Sequence, residues 1–325
     1  MNFYLRSILL IIFLFSSFTH LTFAKDPLSP KQPSLYVKNS KNLKVRSLKA
    51  IVVNQNTGEV IYEKNADAKA SIASLTKLMT AMVILDSGLD LNKKITITKA
   101  DIDRVKRTTS RLPIGTKLSR YKLLKAALIS SDNRAAFALS RSYPSGRKGF
   151  INAMNVKAIQ LGMQESQFRD PTGLDKRNVS TAKDLLKLVR AAYQYSEIRE
   201  FTTTPSENIK IGKKRNSIDF KNTNPLVRKG VWDIGLSKTG FIRESGRCLV
   251  LQTIINDEPI IIVLLNSYGK LTRFADVKRL KNWMNRVNKK ATSIIFSSLV
   301  FSSLVFSYFV LLFLFSLINL KIFQG

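Results

Sequence analysis

The amino-acid sequence predicts an α+β domain in which both ends of the chain build one antiparallel sheet around a helical middle. Two β-type segments stand near the start, three more stand toward the end, and five segments with helical spacing lie between them. Length and composition agree. A chain of 325 residues that is 45% hydrophobic and 23% charged can bury a sizeable core as one large or two small domains, which excludes disorder as its main state.

In chain order, residues 1–24 carry one charge, Arg6, then an apolar run over 8–15, and end Thr22-Phe23-Ala24 before Lys25. This is the pattern of a secretory signal cut after Ala24; an uncleaved anchor is the alternative, and both export the remainder. Residues 25–47, rich in Lys, Pro, Ser and Asn without a period, read as a linker, so the fold is expected to begin near Leu48. Residues 49–54 (KAIVVN) and 59–63 (EVIYE) flank Asn56-Thr57-Gly58 and predict a β-hairpin. Leu75, Leu78, Met79, Met82, Val83 and Leu85 recur at helical spacing before Gly88, predicting a helix over 74–86. Further helices are predicted over 119–129, 134–142, 148–161 and 181–193.

From Trp232 the pattern returns to strands, over 234–239, 248–255 and 259–265, the last two joined at Asn256-Asp257. A helix over 272–287 would cover the sheet with Phe274, Val277, Leu280, Trp283, Met284 and Val287. Residues 294–320 contain no charged side chain and are long enough to cross a bilayer, so a transmembrane anchor is expected there. Arg286, Lys289 and Lys290 precede this tail and only Lys321 follows it, against the positive-inside bias, which a large exported domain can override. The near-repeat over 296–305 leaves a tail acquired by frameshift or readthrough as the alternative.

Charge and residue usage narrow the chemistry. Lys plus Arg total 53 against 22 Asp plus Glu, a net charge of +31, which favours polyanionic surroundings: nucleic acid, anionic lipid or a carboxylate-rich wall polymer. Export and the scatter of Lys and Arg without a recognition helix or stacking aromatics argue against nucleic acid. The single histidine, His20, lies in the signal, and Cys248 is the single cysteine. This composition excludes a Ser-His-Asp triad, a Cys-His pair, His metal sites, an intramolecular disulfide and a Cys zinc cluster.

Without histidine, a serine nucleophile needs another base, and a lysine kept neutral by burial or neighbouring charge can serve. Ser-x-x-Lys sets both side chains on one helical face. It occurs at Ser74/Lys77, Ser119/Lys122, Ser145/Lys148, Ser180/Lys183 and Ser267/Lys270. Only Ser74 opens a strongly apolar helix, where the lysine would be desolvated and the hydroxyl would stand near helix amides. Ser131-Asp132-Asn133 falls at a break between helical patterns, where Ser131 can relay a proton and Asn133 can hold a carbonyl and the lysine; a helix cap explains it too. Ser-x-Asn also occurs at Ser40/Asn42 and Ser206/Asn208. Lys238-Thr239-Gly240 ends an apolar strand: a cation for a carboxylate, a hydroxyl to orient it, and a glycine that admits a peptide backbone, or else a strand end with its turn glycine.

The three motifs in this order form a known set. With the stretch 235–250, GLSKTGFIRESGRCLV, the chain resembles the low-molecular-mass penicillin-binding proteins of the serine-type D-alanyl-D-alanine carboxypeptidase and endopeptidase family over about residues 48–288. The resemblance implies a β-lactamase/transpeptidase-like fold and a DD-peptidase acting on peptidoglycan stem peptides through an acyl-enzyme, with β-lactams as acylating inhibitors and no metal or organic cofactor. It makes Ser74 the nucleophile, Lys77 its base and Ser131 the proton relay. Asn133, Lys238, Thr239 and Gly240 would bind substrate, and the amides of Ser74 and Phe241 would form the oxyanion hole. Asp170-Pro-Thr-Gly-Leu174 resembles a loop bordering the family's site, though a plain turn explains it as well. Lack of room for a β-rich second domain after Leu265 is similar to the endopeptidase branch, which cuts the D-alanyl to diaminopimelate cross-link; D-Ala-D-Ala carboxypeptidation is the alternative. The implied location is the periplasm, with inner-membrane association through the apolar tail. Two further alternatives are a β-lactamase, for which Glu165 is the candidate that activates water, and a non-catalytic wall-binding protein.

Overall fold

A computed structural model describes residues 43–211 and 217–322, with Tyr36 and Ser40; side chains at 294, 295 and 313–322 are not described. The described residues lie within one unit, Ser34–Gly325. The predicted signal and most of the predicted linker fall outside the described residues.

Five strands form the main sheet: β1 (Lys49–Asn54), β2 (Val60–Lys64), β3 (Ile234–Ile242), β4 (Gly246–Ile255) and β5 (Glu258–Ser267). Their order is β2-β1-β5-β4-β3, and every pair is antiparallel. The first hairpin thus pairs with the last strand, Lys49 opposite Leu265 and Asn54 opposite Ile260, which is the α+β arrangement with a sheet built from both ends.

The central strands β1, β4 and β5 carry apolar runs because both faces of the sheet are buried there. Ile51, Val53, Val250, Ile261 and Val263 face the helical block, while Val52, Leu249, Leu251, Ile262 and Leu264 face the C-terminal helix, in strict alternation. The helical block contains α1 (Thr76–Asp86), α2 (Arg120–Ile129), α3 (Asn133–Arg141), α4 (Gly146–Gln160), α5 (Ala182–Ala192), α6 (Ser196–Thr203) and α7 (Pro225–Lys229). Nine consecutive residues of α1, Thr76 to Ile84, are buried, so this helix is enclosed on every side and carries Lys77 into the interior with it. The sequence reading did not predict α6 and α7, because both are short and their apolar residues are few.

The predicted helix over 272–287 and the apolar tail form one uninterrupted helix, α8 (Thr272–Ile322). No glycine or proline breaks the stretch between them, so nothing in the backbone stops the helix. Its first turns cover the sheet through Val277, Leu280, Trp283 and Met284. Packing also begins before the predicted boundary at Leu48. The amides of Arg46 and Ser47 donate to the buried Asp276 carboxylate of α8 at 2.9 and 2.8 Å, and Tyr36 lies against Trp283 at 5.7 Å.

Candidate active site

The three motifs converge where β3, the edge strand, meets the chain segment entering α1. Ser74 lies in a 3-10 turn, Ala73–Leu75, rather than in the α-helix predicted to begin with it, and α1 starts at Thr76. The tighter turn still stacks the serine over the lysine one turn on. Lys77 Nζ donates to Ser74 Oγ at 2.9 Å, to Asn133 Oδ1 at 2.7 Å and to the Thr172 carbonyl at 3.0 Å. The ammonium is fully buried, and burial pushes its pKa down from 10.5 to about 8, with the charges of Asp170, Asp132 and Asp103 limiting the fall. The neutral amine is thus far easier to reach near neutral pH than for a solvated lysine. A hydroxyl against such an amine can give up its proton as it attacks an acyl carbon.

A second buried cation stands beside the first. Lys238 Nζ, 1% exposed, donates to Ser131 Oγ at 2.9 Å and to the Thr239 carbonyl at 3.0 Å. Burial and then the Lys77 charge hold it well below the usual lysine range. Ser131 sits at φ +62° between α2 and α3, a left-handed conformation costly for a non-glycine residue. Its neighbour supports that bend: Asp132 caps α3 by accepting from the Ala135 amide at 2.9 Å and also accepts from Ser110 Oγ at 2.7 Å. Capping and placement of Ser131 are two consequences of one loop.

A side chain at Gly240 would crowd the protein's own backbone. A Cβ there would stand 3.0 Å from the Ile72 carbonyl oxygen and 3.1 Å from the Ser74 amide nitrogen. The strand therefore runs directly beside the Ser74 turn, bringing the amide of Ser74 close to the strand that carries Phe241. The Phe241 ring is half exposed, with the Arg247 guanidinium 4.3 Å from its centroid.

Several residues that frame the site lie outside the three motifs. Thr172, within the 170–174 loop, supplies its carbonyl to Lys77, and Asp170 holds that loop by accepting from Thr172 Oγ1 at 2.6 Å and the amides of Gly173 and Asp175 at 2.7 and 2.6 Å. Gly173 has φ +83°, and a Cβ there would stand 1.8 Å from the Ala73 carbonyl oxygen, so this loop presses on the residue before Ser74. Asn178 ties the loop to α1, donating to Thr76 Oγ1 at 3.0 Å and the Asp170 carbonyl at 2.9 Å. Thr108 accepts from Asn133 Nδ2 at 2.8 Å, and Thr223 accepts from Thr239 Oγ1 at 2.6 Å. The turn signature Asp-Pro-Thr-Gly was the one trace of this frame in the sequence; the isolated Thr and Asn residues left none.

In the other four Ser-x-x-Lys pairs the lysine ammonium does not bond its serine: Ser119 caps α2, Ser180 bonds Ser166 at 2.7 Å, Ser267 bonds Ser47 at 2.7 Å, and Ser145 precedes α4. Glu165 forms an exposed ion pair with Lys69 at 2.7 Å and is not a partner of Ser74 or Lys77. Cys248 is buried, its thiol pushed up to about 11, so it is no thiolate at neutral pH.

Residues 36–269 match the peptidase family described as D-alanyl-D-alanine carboxypeptidase. D-alanyl-D-alanine endopeptidases of Pseudomonas aeruginosa and Escherichia coli are 44% and 43% identical to this chain over 235 and 240 residues, covering 72% and 74% of it and 76% and 77% of their own lengths. A D-alanyl-D-alanine carboxypeptidase of Streptomyces sp. is 34% identical over 246 residues, 71% of this chain and 84% of its own. The crystal structure of the Streptomyces K15 DD-transpeptidase superposes with a TM-score of 0.70 at 31% identity, covering 74% of this chain and 97% of that one.

Proposed function

The chain belongs to the D-alanyl-D-alanine carboxypeptidase family of serine peptidases, and from that premise we propose that it is a DD-endopeptidase opening D-alanyl cross-links of peptidoglycan. It is a serine DD-peptidase with the penicillin-binding fold. The observation that carries its chemistry is the buried Lys77 ammonium, 2.9 Å from Ser74 Oγ, with its pKa lowered to about 8.

In this reading Ser74 Oγ attacks the D-alanyl carbonyl carbon while Lys77 takes the hydroxyl proton. The amides of Ser74 and Phe241 hold the oxyanion, each donor worth roughly 3–4 kcal/mol in the transition state. The C–N bond breaks, and the departing amine receives a proton through Ser131, which Lys238 orients. Lys238 and Thr239 bind the substrate carboxylate, and Asn133 binds its carbonyl while steadying Lys77. Water then attacks the Ser74 ester, Lys77 takes a proton from it, and Ser74 Oγ regains one as the acid leaves. Gly240 supports the close approach of strand and nucleophile that this geometry needs.

The cross-link preference draws on the relatives named endopeptidases, which are more similar to this chain than the relative named a carboxypeptidase. Residues 1–24 would export the enzyme to the periplasm, and 294–320 would hold it on the inner membrane. Mass spectrometry of cross-linked muropeptide dimers and pentapeptide monomers tests the activity: dimers fall to monomers, whereas free D-alanine with persistent dimers would establish a carboxypeptidase. Ser74→Ala abolishes hydrolysis and β-lactam labelling, and Lys77→Ala lowers acylation by roughly 10²–10⁴-fold; turnover retained in Ser74→Ala refutes the site.

A further inference from the structure

We propose that a cleft bordered by Arg111 and Lys221 receives the acceptor stem peptide of the cross-link, the leaving half of the substrate, and that these cations select it through its carboxylates. The inference rests on the endopeptidase reading and deepens it.

Ser131 is the pivot. The departing amine takes its proton through Ser131, so the leaving half of the substrate must begin against that side chain. A cleft of about 440 Å³ has Ser131 in its wall, together with Ser110, Arg111, Asp132, Lys221 and Thr223. Thr223 accepts from Thr239 of the Lys-Thr-Gly strand at 2.6 Å, so the cleft is continuous with the strand that binds the scissile end. Its volume falls in the roughly 300–1,000 Å³ range that takes drug-sized ligands. A departing D-alanine would leave most of it empty, while a stem peptide would fill it.

Charge decides the kind of occupant. Asp132 is the single acid in this wall among the described residues, and its carboxylate is already engaged by Ser110 Oγ and the Ala135 amide. Arg111 spends one guanidinium N–H on the Asp219 carbonyl and forms no ion pair among the described residues. The Lys221 ammonium makes no hydrogen bond or ion pair among the described residues, and both cations are exposed. Two unneutralised cations among hydroxyl groups suit a polar, anionic peptide and disfavour an apolar one. Arg111 extends from the loop before α2, and Lys221 ends the ribbon that pairs Ser206–Lys210 with Ser217–Lys221, so two separate elements converge on the leaving side.

The test compares the full chain with Arg111→Gln/Lys221→Gln and with Lys221→Gln alone, each assayed on a purified cross-linked muropeptide dimer and a pentapeptide monomer. β-Lactam acylation of Ser74 reports folding in each. The ratio of dimer to pentapeptide kcat/KM falls about tenfold in the double variant, chiefly through KM, and by a smaller factor in the single one; Arg111→Lys, which keeps the charge, retains it. A ratio within about twofold of wild type in both Gln variants overturns the inference while leaving the endopeptidase reading intact. A wild-type enzyme that trims pentapeptide and spares dimers overturns both together.

Discussion

Lys77 owes its usefulness to two opposing effects: the enclosed helix that carries it drives the ammonium toward neutrality, and the carboxylate of Asp170 resists. The acylating form is the neutral amine, so β-lactam acylation of Ser74 rises as pH increases through about 8 and levels off above it. Asp170→Asn removes the largest charge that favours the ammonium, so the lysine pKa falls further and the rising limb moves to lower pH. Stopped-flow acylation from pH 6 to 10 checks this; a limb that stays or moves upward contradicts it. The same substitution trades an acceptor of several N–H and O–H donors for an amide, so the plateau rate falls as the 170–174 loop loosens beneath Thr172.

Among the elements, α8 changes its role along its length. Through Met284 it covers the sheet face formed by Leu249, Leu251, Ile262 and Leu264, whereas from Phe296 to Leu312 its described apolar side chains are exposed around the helix. Leu280→Ala, at a fully buried contact, costs about 2–5 kcal/mol, read as a lowered Tm. A chain ending at 290 keeps its fold and its β-lactam acylation, whereas one ending before Thr272 bares the sheet face and aggregates; size-exclusion chromatography with labelling separates the two. The edge strand β3 is exposed to a different requirement, because its close passage along the Ser74 turn leaves a Cβ at Gly240 only 3.0–3.1 Å from neighbouring atoms.

For the whole molecule, the net charge of +31 and the apolar end of α8 act at different ranges. The most apolar stretch of the helix has a mean hydropathy of 2.2, and 27 uncharged residues at 1.5 Å each span about 40 Å, more than the ~30 Å hydrocarbon core. The full chain is expected in the membrane fraction after a high-salt wash, and the chain ending at 290 in the soluble fraction; a full chain released by salt would show attachment by charge alone. Binding of the shortened chain to purified cell-wall sacculi weakens steeply between low and high salt, because screening contracts from ~10 Å at 0.1 M to ~3 Å at 1 M. Much of this molecule was legible beforehand. The hairpin, the three late strands and the apolar helix at 74–86 follow from periodicity, and the absence of usable histidine forces a lysine-based reading of Ser74. The frame around Lys77 was legible only at its Asp170-Pro-Thr-Gly turn, since Asn178, Thr108 and Thr223 carry no period or motif and gain meaning only through partners elsewhere in the chain. Local pattern by itself determined which segments are strands or helices and which residue types could react, because backbone periodicity and side-chain chemistry are properties of neighbouring residues. Tertiary structure alone decided that Lys238 lies beside Lys77 in the interior, that burial lowers its pKa as well, and that Arg111 and Lys221 border one cleft, because desolvation and distance depend on the packing of segments up to a hundred or more residues apart.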